Sequence, residues 1–169
     1  MSVFKSVCIA LTSIMMFYGC TSSRLSADEL KYLSNRTGLE ITNQDNVDLY
    51  KQVSGWLGVK YRSGGTTKSG VDCSGFVGAI YRDVYGKKLC RTVEDIYANN
   101  CKRISKARLK EGDLLFFRTD GKRKRKPNHV GIYLKDGKFV HASSSKGVVI
   151  NNISTEYYVN AFMCGGRVK

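Results

Sequence analysis

The sequence predicts an α+β fold in which helices pack on one face of an antiparallel sheet. Apolar residues recur at helical spacing in the first half of the chain, whereas from Gly112 onward short apolar runs of strand length follow one another. Helices that precede a series of strands favour this class over an alternating α/β arrangement. The chain has 169 residues, of which 42% are hydrophobic, so it can bury the core of one domain.

Capping residues place three helices in the first half of the chain. Ser26 opens a capping-box pattern for a short helix that ends near Gly38. Asn46 can cap a second helix, and a third runs from Cys73 to Gly86. The apolar positions that define one face of the second and third helices are Leu49, Val53, Trp56 and Leu57, and Phe76, Val77, Ile80 and Val84.

The second half of the chain predicts a meander of strands. After a short helical stretch that begins at Thr92, the strand-like segments are 113–117, 129–134, 138–142, 147–150 and 161–164. The pair Asp136-Gly137 is typical of a tight hairpin, and it joins the second of these segments to the third.

Residues 1–19 have the features of a secretory signal peptide. Lys5 precedes an apolar run that is too short to span a membrane, and no stop-transfer charges follow it. The sequence Phe17-Tyr-Gly-Cys20 resembles a bacterial lipobox, which predicts lipidation of Cys20. An ordinary signal peptide cut nearby and an uncleaved anchor are the alternatives.

The formal net charge of +14 favours an anionic partner, such as a membrane surface or an acidic polymer. No helix-turn-helix, zinc-finger or RNP-like pattern occurs in the sequence, so nucleic acid is not expected as a partner. Part of the charge lies in Arg118 and the run 122–126. This run is either a basic rim that attracts a carboxylate-rich polymer or a solvated hairpin loop.

Cys73 and two histidines have the pattern of a nucleophilic site. Cys73 lies at the start of a predicted helix, where unpaired N–H groups and the helix dipole favour a thiolate. The only histidines, His129 and His141, lie on consecutive predicted strands. Because a thiol needs a base and the base needs an orienting group, we expect Cys73 to attack a carbonyl carbon. His129 is then the acid and base, His141 orients it, and backbone N–H groups around Cys73 stabilise the oxyanion.

Other interpretations of these residues stay open. Each could be a buried packing residue, because free cysteines are often buried and inert. A metal site made of Cys73, His129 and His141 is disfavoured because close ligand pairing is absent, and no cofactor is expected. The other thiols, at Cys90, Cys101 and Cys164, are odd in number, so a Cys90–Cys101 disulfide and free thiols both remain possible interpretations.

The hairpin between the two histidines creates a geometric conflict. A two-residue turn at Asp136-Gly137 would place Ile132 opposite His141 and send the two histidine rings to opposite faces of the sheet. The site needs the rings together. We therefore predict a wider turn, a bulge or an irregularity near His129, with the rings within hydrogen-bond reach.

The motifs together resemble the NlpC/P60 family of bacterial cell-wall cysteine peptidases. The segments that carry the resemblance run in order from about Val47 to Val168: Trp56-Leu-Gly-Val-Lys-Tyr-Arg-Ser-Gly-Gly65, Val71-Asp-Cys-Ser-Gly-Phe-Val77, Gly112-Asp-Leu-Leu-Phe-Phe117, His129-Val-Gly-Ile-Tyr133 and Phe139-Val-His-Ala-Ser143. The resemblance implies a papain-like α+β fold. It also implies hydrolysis of amide bonds in peptidoglycan stem peptides, which contain D-amino acids and usually a diamino acid.

The resemblance also assigns roles to single residues. Cys73 matches the family nucleophile, His129 the base and His141 the third polar residue of the triad. Tyr61 matches a tyrosine that projects toward the nucleophile, although it could also be a core aromatic. Two flanking positions contact substrate in some members; here they are Asp72, which could instead be only a helix cap, and Ser74.

These observations predict a lipoprotein signal peptide over 1–19, a tether with a short helix over 20–45, and an NlpC-type catalytic domain over 46–169. The expected protein is a monomeric cysteine endopeptidase that cuts stem peptides through an acyl-enzyme and is anchored to a membrane of the bacterial envelope by lipid on Cys20. The alternatives are a papain-like amidase or acyl transferase with another substrate, and a non-catalytic envelope-binding module.

Overall fold

The computed structural model describes residues 24–121 and 126–169. The predicted signal peptide, Cys20 and most of the basic run lie outside these residues. Among the described residues, no helix has the length and apolar character that crossing a bilayer requires.

The three predicted helices of the first half are confirmed, together with their caps. Helix α1 spans Ala27–Thr37, with the Ser26 capping box at its start and a left-handed Gly38 at its end. Helix α2 spans Val47–Trp56 and is capped by the Asn46 side chain. Helix α3 spans Cys73–Tyr85 and ends at a left-handed Gly86. The short helical stretch after Thr92 is α4, Val93–Asp95, and it continues into one turn of π-helix over Ile96–Asn100.

The predicted antiparallel sheet has six strands, and helices pack on its larger core face. Its strands are β3 Cys101–Ile104, β4 Leu114–Phe117, β5 His129–Tyr133, β6 Lys138–Ser143, β7 Gly147–Asn152 and β8 Phe162–Val168. A separate two-stranded sheet joins β1 Thr66–Thr67 to β2 Gly70–Val71, just before α3.

Strands β4 to β7 form the expected meander, but the last strand does not extend it. The spatial order is β3-β8-β4-β5-β6-β7, so β8 lies beside β4. The helix that carries the chain back is α5, Glu156–Ala161. Neither α5 nor the edge strand β3 was predicted, because both are short and have no clear apolar period.

The two faces of the sheet bury different cores. Alternate residues of the strands point to the helices α1–α3 and form the larger core, which includes Leu114, Phe116, Val130, Ile132 and Val140. The opposite face buries a smaller, aromatic cluster under α5, made of Leu115, Phe117, Phe139, Ile153 and Ala161. This strict alternation follows from the period of two in a strand.

The segment before α2 belongs to the larger core from Leu25 onward. Leu25, Leu33, Leu39 and Ile41 are all buried. The Asn43 side chain holds the backbone of Leu25 from both sides, with bonds of 2.9 Å to its N–H and 3.1 Å to its carbonyl. The part of the predicted tether that the structure describes is therefore packed on the domain, because its apolar side chains are buried there.

The hairpin between β5 and β6 has the wider turn that the histidines require. Ile132 pairs with Val140 rather than with His141, so the register is shifted by one residue from that of a two-residue turn. Asp136 and Gly137 take positive φ angles of 53° and 71°. This shift puts both histidines on one face, and the predicted deviation is confirmed.

The described cysteines outside the proposed site, Cys90, Cys101 and Cys164, are free thiols. The Cys90–Cys101 disulfide that the sequence left open is not formed.

Candidate active site

Four of the predicted site residues, Tyr61, Cys73, His129 and His141, line one cleft of about 440 Å³, whereas Asp72 and Ser74 do not line it. It lies where the start of α3 meets strands β5, β6 and β7. Its lining side chains are Tyr61, Cys73, Thr119, Asn128, His129, His141, Ser143, Ser144, Ser145, Lys146, Asn151, Tyr157 and Tyr158. Only one of these, Lys146, carries a permanent charge.

Cys73 is the first residue of α3 and is only 7% exposed. Asp72 caps the helix: its carboxylate accepts the Gly75 N–H at 2.7 Å. Gly75 lies so close to the carbonyl of Gly65 that a Cβ could not fit there. The start of α3 is therefore packed tightly against the preceding glycine-rich loop, which fixes the position of the thiol.

Burial raises the pKa of the Cys73 thiol above its usual value. The backbone N–H of Val130 opposes this effect, and so do the N–H groups of Ser74 and Cys73, while the negative charge of Asp72 adds to it. The N–H groups at the helix start are thus directed at the sulfur, as expected, but burial has the larger effect.

The two histidines form a direct hydrogen bond. His129 is the first residue of β5, and its Nε2 lies 2.7 Å from Nδ1 of His141 on β6, with the rings at 90°. Gly131 makes this approach possible, because a Cβ there would lie 3.1 Å from Cβ of His141 and 2.9 Å from a ring carbon of Phe139. The predicted hydrogen-bond contact is confirmed.

Asn151 and Tyr158 extend this contact into a chain. Nε2 of His141 lies 3.0 Å from Oδ1 of Asn151 and 3.0 Å from the hydroxyl of Tyr158, which donates to the same Oδ1 at 3.3 Å. A carboxamide oxygen only accepts, so Nε2 of His141 carries the proton and Nδ1 accepts one from Nε2 of His129. The remaining basic atom of the chain is Nδ1 of His129.

Aromatic rings form the floor under the two histidines. Phe139 stacks on His141 at 5.1 Å, and Phe117 lies 6.2 Å from His129. Burial in this apolar setting lowers the pKa of both imidazoles, and their mutual proximity lowers that of His129 further. Both rings are therefore neutral at pH 7. Burial therefore favours a neutral thiol and a neutral imidazole, whereas the helix start was expected to favour a thiolate.

Tyr61 lines the same cleft and is also partly buried against the larger core. Its backbone is held beside the start of α3 by a bridge to Val71. Burial raises the pKa of the Tyr61 hydroxyl, and the neighbouring Cys73 and Asp72 add to the effect. The hydroxyl is therefore a neutral hydrogen-bond donor at the mouth of the site.

Asp72 is the helix cap that the sequence offered as an alternative. Its two oxygens accept from five donors, which include the N–H groups of Gly64 and Gly75 and the hydroxyl of Ser74. The other two are Nη1 and Nη2 of Arg91, at 3.0 and 2.6 Å. Ser74 is buried in the same network, where it also accepts from Arg91 at 2.8 Å.

The described part of the basic loop is held by polar contacts. The Arg118 guanidinium donates to both oxygens of Asp120, at 2.7 and 2.8 Å. Lys126 pairs with Glu94 at 2.8 Å. Residues 122–125 lie outside the described part of the chain, so both interpretations of the basic run stay open.

The sequence did not predict Asn151, Tyr158 or Arg91 as parts of the site. The sequence signal for Asn151 is weak. His141 pairs with Val149 on β7, and Asn151 is a polar residue two positions further along β7, on the same face of the sheet. Across the described residues, no three His, Cys, Asp or Glu side chains are arranged to hold a metal ion.

Sequence comparison finds a matching family model and several related proteins. The profile described as the NlpC/P60 family matches residues 58–167. A probable endopeptidase of Haemophilus influenzae is 39% identical over 165 residues, which cover 96% of each chain. The murein DD-endopeptidase MepS/murein LD-carboxypeptidase of Escherichia coli K12 is 35% identical over 148 residues, which cover 88% of this chain and 73% of that protein.

Solved structures agree with the sequence comparison. An NlpC/P60 family protein from Bacillus cereus superposes with a TM-score of 0.65 at 30% identity, over 72% of this chain and 39% of that one. RipD from Mycobacterium tuberculosis, described as a non-catalytic NlpC/p60 domain protein, superposes with a TM-score of 0.57 at 19% identity, over 73% and 97% of the two chains. With a profile match over most of its length and relatives above 30% identity, this chain belongs to the NlpC/P60 family of papain-like cysteine peptidases.

Proposed function

We propose that the protein is a peptidoglycan hydrolase, an endopeptidase that cleaves amide bonds of stem peptides with Cys73 as nucleophile. The observation that carries the proposal is a cysteine at a helix start that shares one cleft with a hydrogen-bonded histidine pair. Relatives named as murein endopeptidases support the substrate class.

The proposed chemistry starts from the neutral pair. As the sulfur of Cys73 bonds to the carbonyl carbon, its proton passes to Nδ1 of His129, which becomes an imidazolium. The carbonyl oxygen takes the negative charge. We assign the stabilisation of this charge to backbone N–H groups at the start of α3 and to the Tyr61 hydroxyl.

The second half of the reaction releases the two products. His129 returns its proton to the departing amine as the C–N bond breaks, which leaves a thioester on Cys73. Water then attacks the thioester with His129 as base, and the thiol is restored. Through the cycle His141 holds the His129 ring and shares its charge, with Asn151 and Tyr158 as the outer contacts.

The composition of the cleft fits an acidic, polar substrate. Its walls present hydroxyl and amide groups from serines, asparagines and tyrosines, and the one charged residue, Lys146, is a cation. No carboxylate side chain of the described residues lines it. A polymer whose peptides carry free carboxylates would therefore enter without charge repulsion.

Digestion of purified peptidoglycan, followed by mass spectrometry of the fragments, tests the proposal. The wild-type protein is expected to release cut stem peptides, and Cys73→Ser to release none, because a hydroxyl is far less acidic than a thiol and an imidazole of lowered pKa takes its proton much less readily. Cys164→Ser is the matched control, since that thiol lies away from the cleft on β8. Full activity in Cys73→Ser would overturn the thiol mechanism. Wild-type protein that binds peptidoglycan and never cuts it would make the protein a binding module.

We also propose that Cys20 is lipidated and places the protein at a membrane of the bacterial envelope. The support is the lipobox-like sequence before Cys20. Several acyl chains bury many CH₂ groups, at ~0.8 kcal/mol each, which is enough for stable anchoring. Membrane fractionation and labelling with a fatty-acid analogue test this, and Cys20→Ala should abolish both signals. A soluble, unlabelled mature protein would contradict the anchor and leave the peptidase proposal intact.

A further inference from the structure

A second groove runs along α3 beside Ser74, and it shares no lining residue with the cleft. Its volume is about 560 Å³. The side chains and backbone that line it belong to Thr66, Ser74, Gly75, Gly78, Ala79, Arg82, Gly86, Lys88, Leu89, Cys90 and Arg91. All charged residues in this lining are cations. A Cβ at Gly78 would meet nothing within 4 Å, so the floor of the groove is open.

Arg91 is built into the end of this groove that adjoins the nucleophile. The end-on edge of its guanidinium, Nη1 and Nη2, holds the two oxygens of Asp72 at 3.0 and 2.6 Å, and Nη1 also donates to Ser74. These contacts fix the guanidinium in one orientation. Its charge reaches both Cys73 and Tyr61, which line the catalytic cleft.

The other edge of the Arg91 guanidinium is unused. The Nε–H and the second Nη2 hydrogen, which lie side by side, have no hydrogen-bond partner among the residues that the structure describes. The side chain is 46% exposed in spite of the ion pair. A preoriented guanidinium edge with two parallel N–H groups matches the geometry of a carboxylate, which it binds through two hydrogen bonds.

The second cation of the groove adds to this preference. Lys88 makes no ion pair within the described residues, whereas Arg82 is already paired with Asp83 at 2.8 Å. Arg91 and Lys88 together therefore give the groove an uncompensated positive charge, because Asp72 neutralises only one of them.

We propose that this groove is a substrate subsite for a carboxylate, with Arg91 as the specificity-determining residue and Lys88 as a supporting cation. The proposal rests on the proposed peptidase function and adds a substrate preference to it. A stem peptide that lies across Cys73 would place a free carboxylate against the side-on edge of Arg91. The same peptide with that carboxylate converted to a carboxamide would lose the charge and one acceptor.

Binding to an inactive protein tests the subsite without turnover. In a Cys73→Ala background, calorimetry would compare a synthetic stem tetrapeptide that has free carboxylates with the same peptide as its carboxamide. We expect the carboxylate form to bind about tenfold more tightly. Arg91→Gln should reduce this ratio to near one, and Lys88→Gln should reduce it about twofold. Lys102→Gln, on the edge strand β3, is the control and should leave it unchanged.

Equal affinity of the Cys73→Ala protein for the two peptides would overturn the subsite. An affinity ratio that is unchanged in both Arg91→Gln and Lys88→Gln would also overturn it. If Arg91→Gln fails to fold, because Asp72 loses its partner, the Lys88→Gln result decides between the outcomes. Cleavage assays on active protein separate the two proposals. If the active protein cleaves both peptides equally well, the subsite is wrong and the peptidase function stands. If the inactive protein binds the carboxylate form more tightly but the active protein cleaves neither peptide, the peptidase function is wrong and the subsite stands.

Discussion

The two sides of the cleft are built on different physical principles. On the histidine side, His129, His141, Asn151 and Tyr158 form a chain of neutral hydrogen bonds over an aromatic floor. On the cysteine side, Asp72 and Arg91 form an ion pair of 2.6 Å that carries the start of α3. The histidine side has no charged residue in its hydrogen-bond chain, whereas the cysteine side has a charged pair beside the thiol.

The difference teaches how the proposed site separates proton transfer from substrate recognition. Burial raises the pKa of the Cys73 thiol and lowers the pKa of His129, so the proton stays on the sulfur until attack on the carbonyl carbon begins. A carboxylate beside the histidines would raise their pKa values. The charges are instead on the helix side, where they orient α3 and present a guanidinium edge to the substrate.

The largest expected effect comes from removing the proposed base on the histidine side. His129→Ala should lower kcat/KM on the order of 10⁴-fold, because the thiol then has no group to take its proton. His141→Ala should be milder, since His129 loses only its orientation and a place to share charge. Steady-state kinetics on a stem-peptide substrate would measure both. Equal losses in the two variants would mean that His141 does more than orient.

A smaller effect is expected at the outer end of the chain. Asn151→Leu should lower kcat on the order of 10-fold with little change in KM, because about one hydrogen bond that fixes the His141 tautomer is lost. Asn151→Asp should restore part of the rate. It should also move the acid limb of the pH profile to higher pH, since a carboxylate raises the pKa of His141. An unshifted profile in Asn151→Asp would reduce Asn151 to a packing residue.

The smallest effect is on stability, and it follows from the neutral histidines. Their folded pKa values are lowered by burial, so below the ordinary value of 6.5 the unfolded chain binds more protons than the folded one. Their contribution is complete above that value and is lost as the pH falls. The free energy of unfolding should drop by about 1 kcal/mol between pH 7.5 and 5.5 because of His129, and His141 should add to this drop.

Urea denaturation at the two pH values would measure this drop. His141→Gln provides the comparison, because it removes one titrating ring and should show a smaller decrease. A wild-type protein with the same stability at both pH values would show that the rings are not held neutral.

Local chemistry made much of the fold and part of the site predictable. Ser26, Asn46 and Asp72 are recognisable caps because a side chain three residues from a helical N–H can satisfy it without any distant contact. The position of Cys73 at a helix start follows from the same rule. The face shared by His129 and His141 was also predictable, since strand alternation excludes the register of a two-residue turn if the two rings are to meet.

The remaining parts of the site depend on contacts that leave little trace in the sequence. Tyr158 reaches His141 only because α5 crosses under the sheet, and a six-residue helix has too few positions to show a period. Arg91 meets Asp72 across a separation of 19 residues. Such pairings are set by packing of the larger core, which a single sequence does not specify pair by pair.

The burial of Leu25 has a consequence for where the enzyme works. If Cys20 carries lipid, only about five peptide units separate the bilayer from a residue fixed in the domain, and fully extended they span at most ~18 Å. A domain of this size is roughly 40 Å across. The cleft could then reach only substrate that lies within roughly 60 Å of the membrane. Cell-wall strands farther out would be cut only after they move inward or the membrane bends toward them.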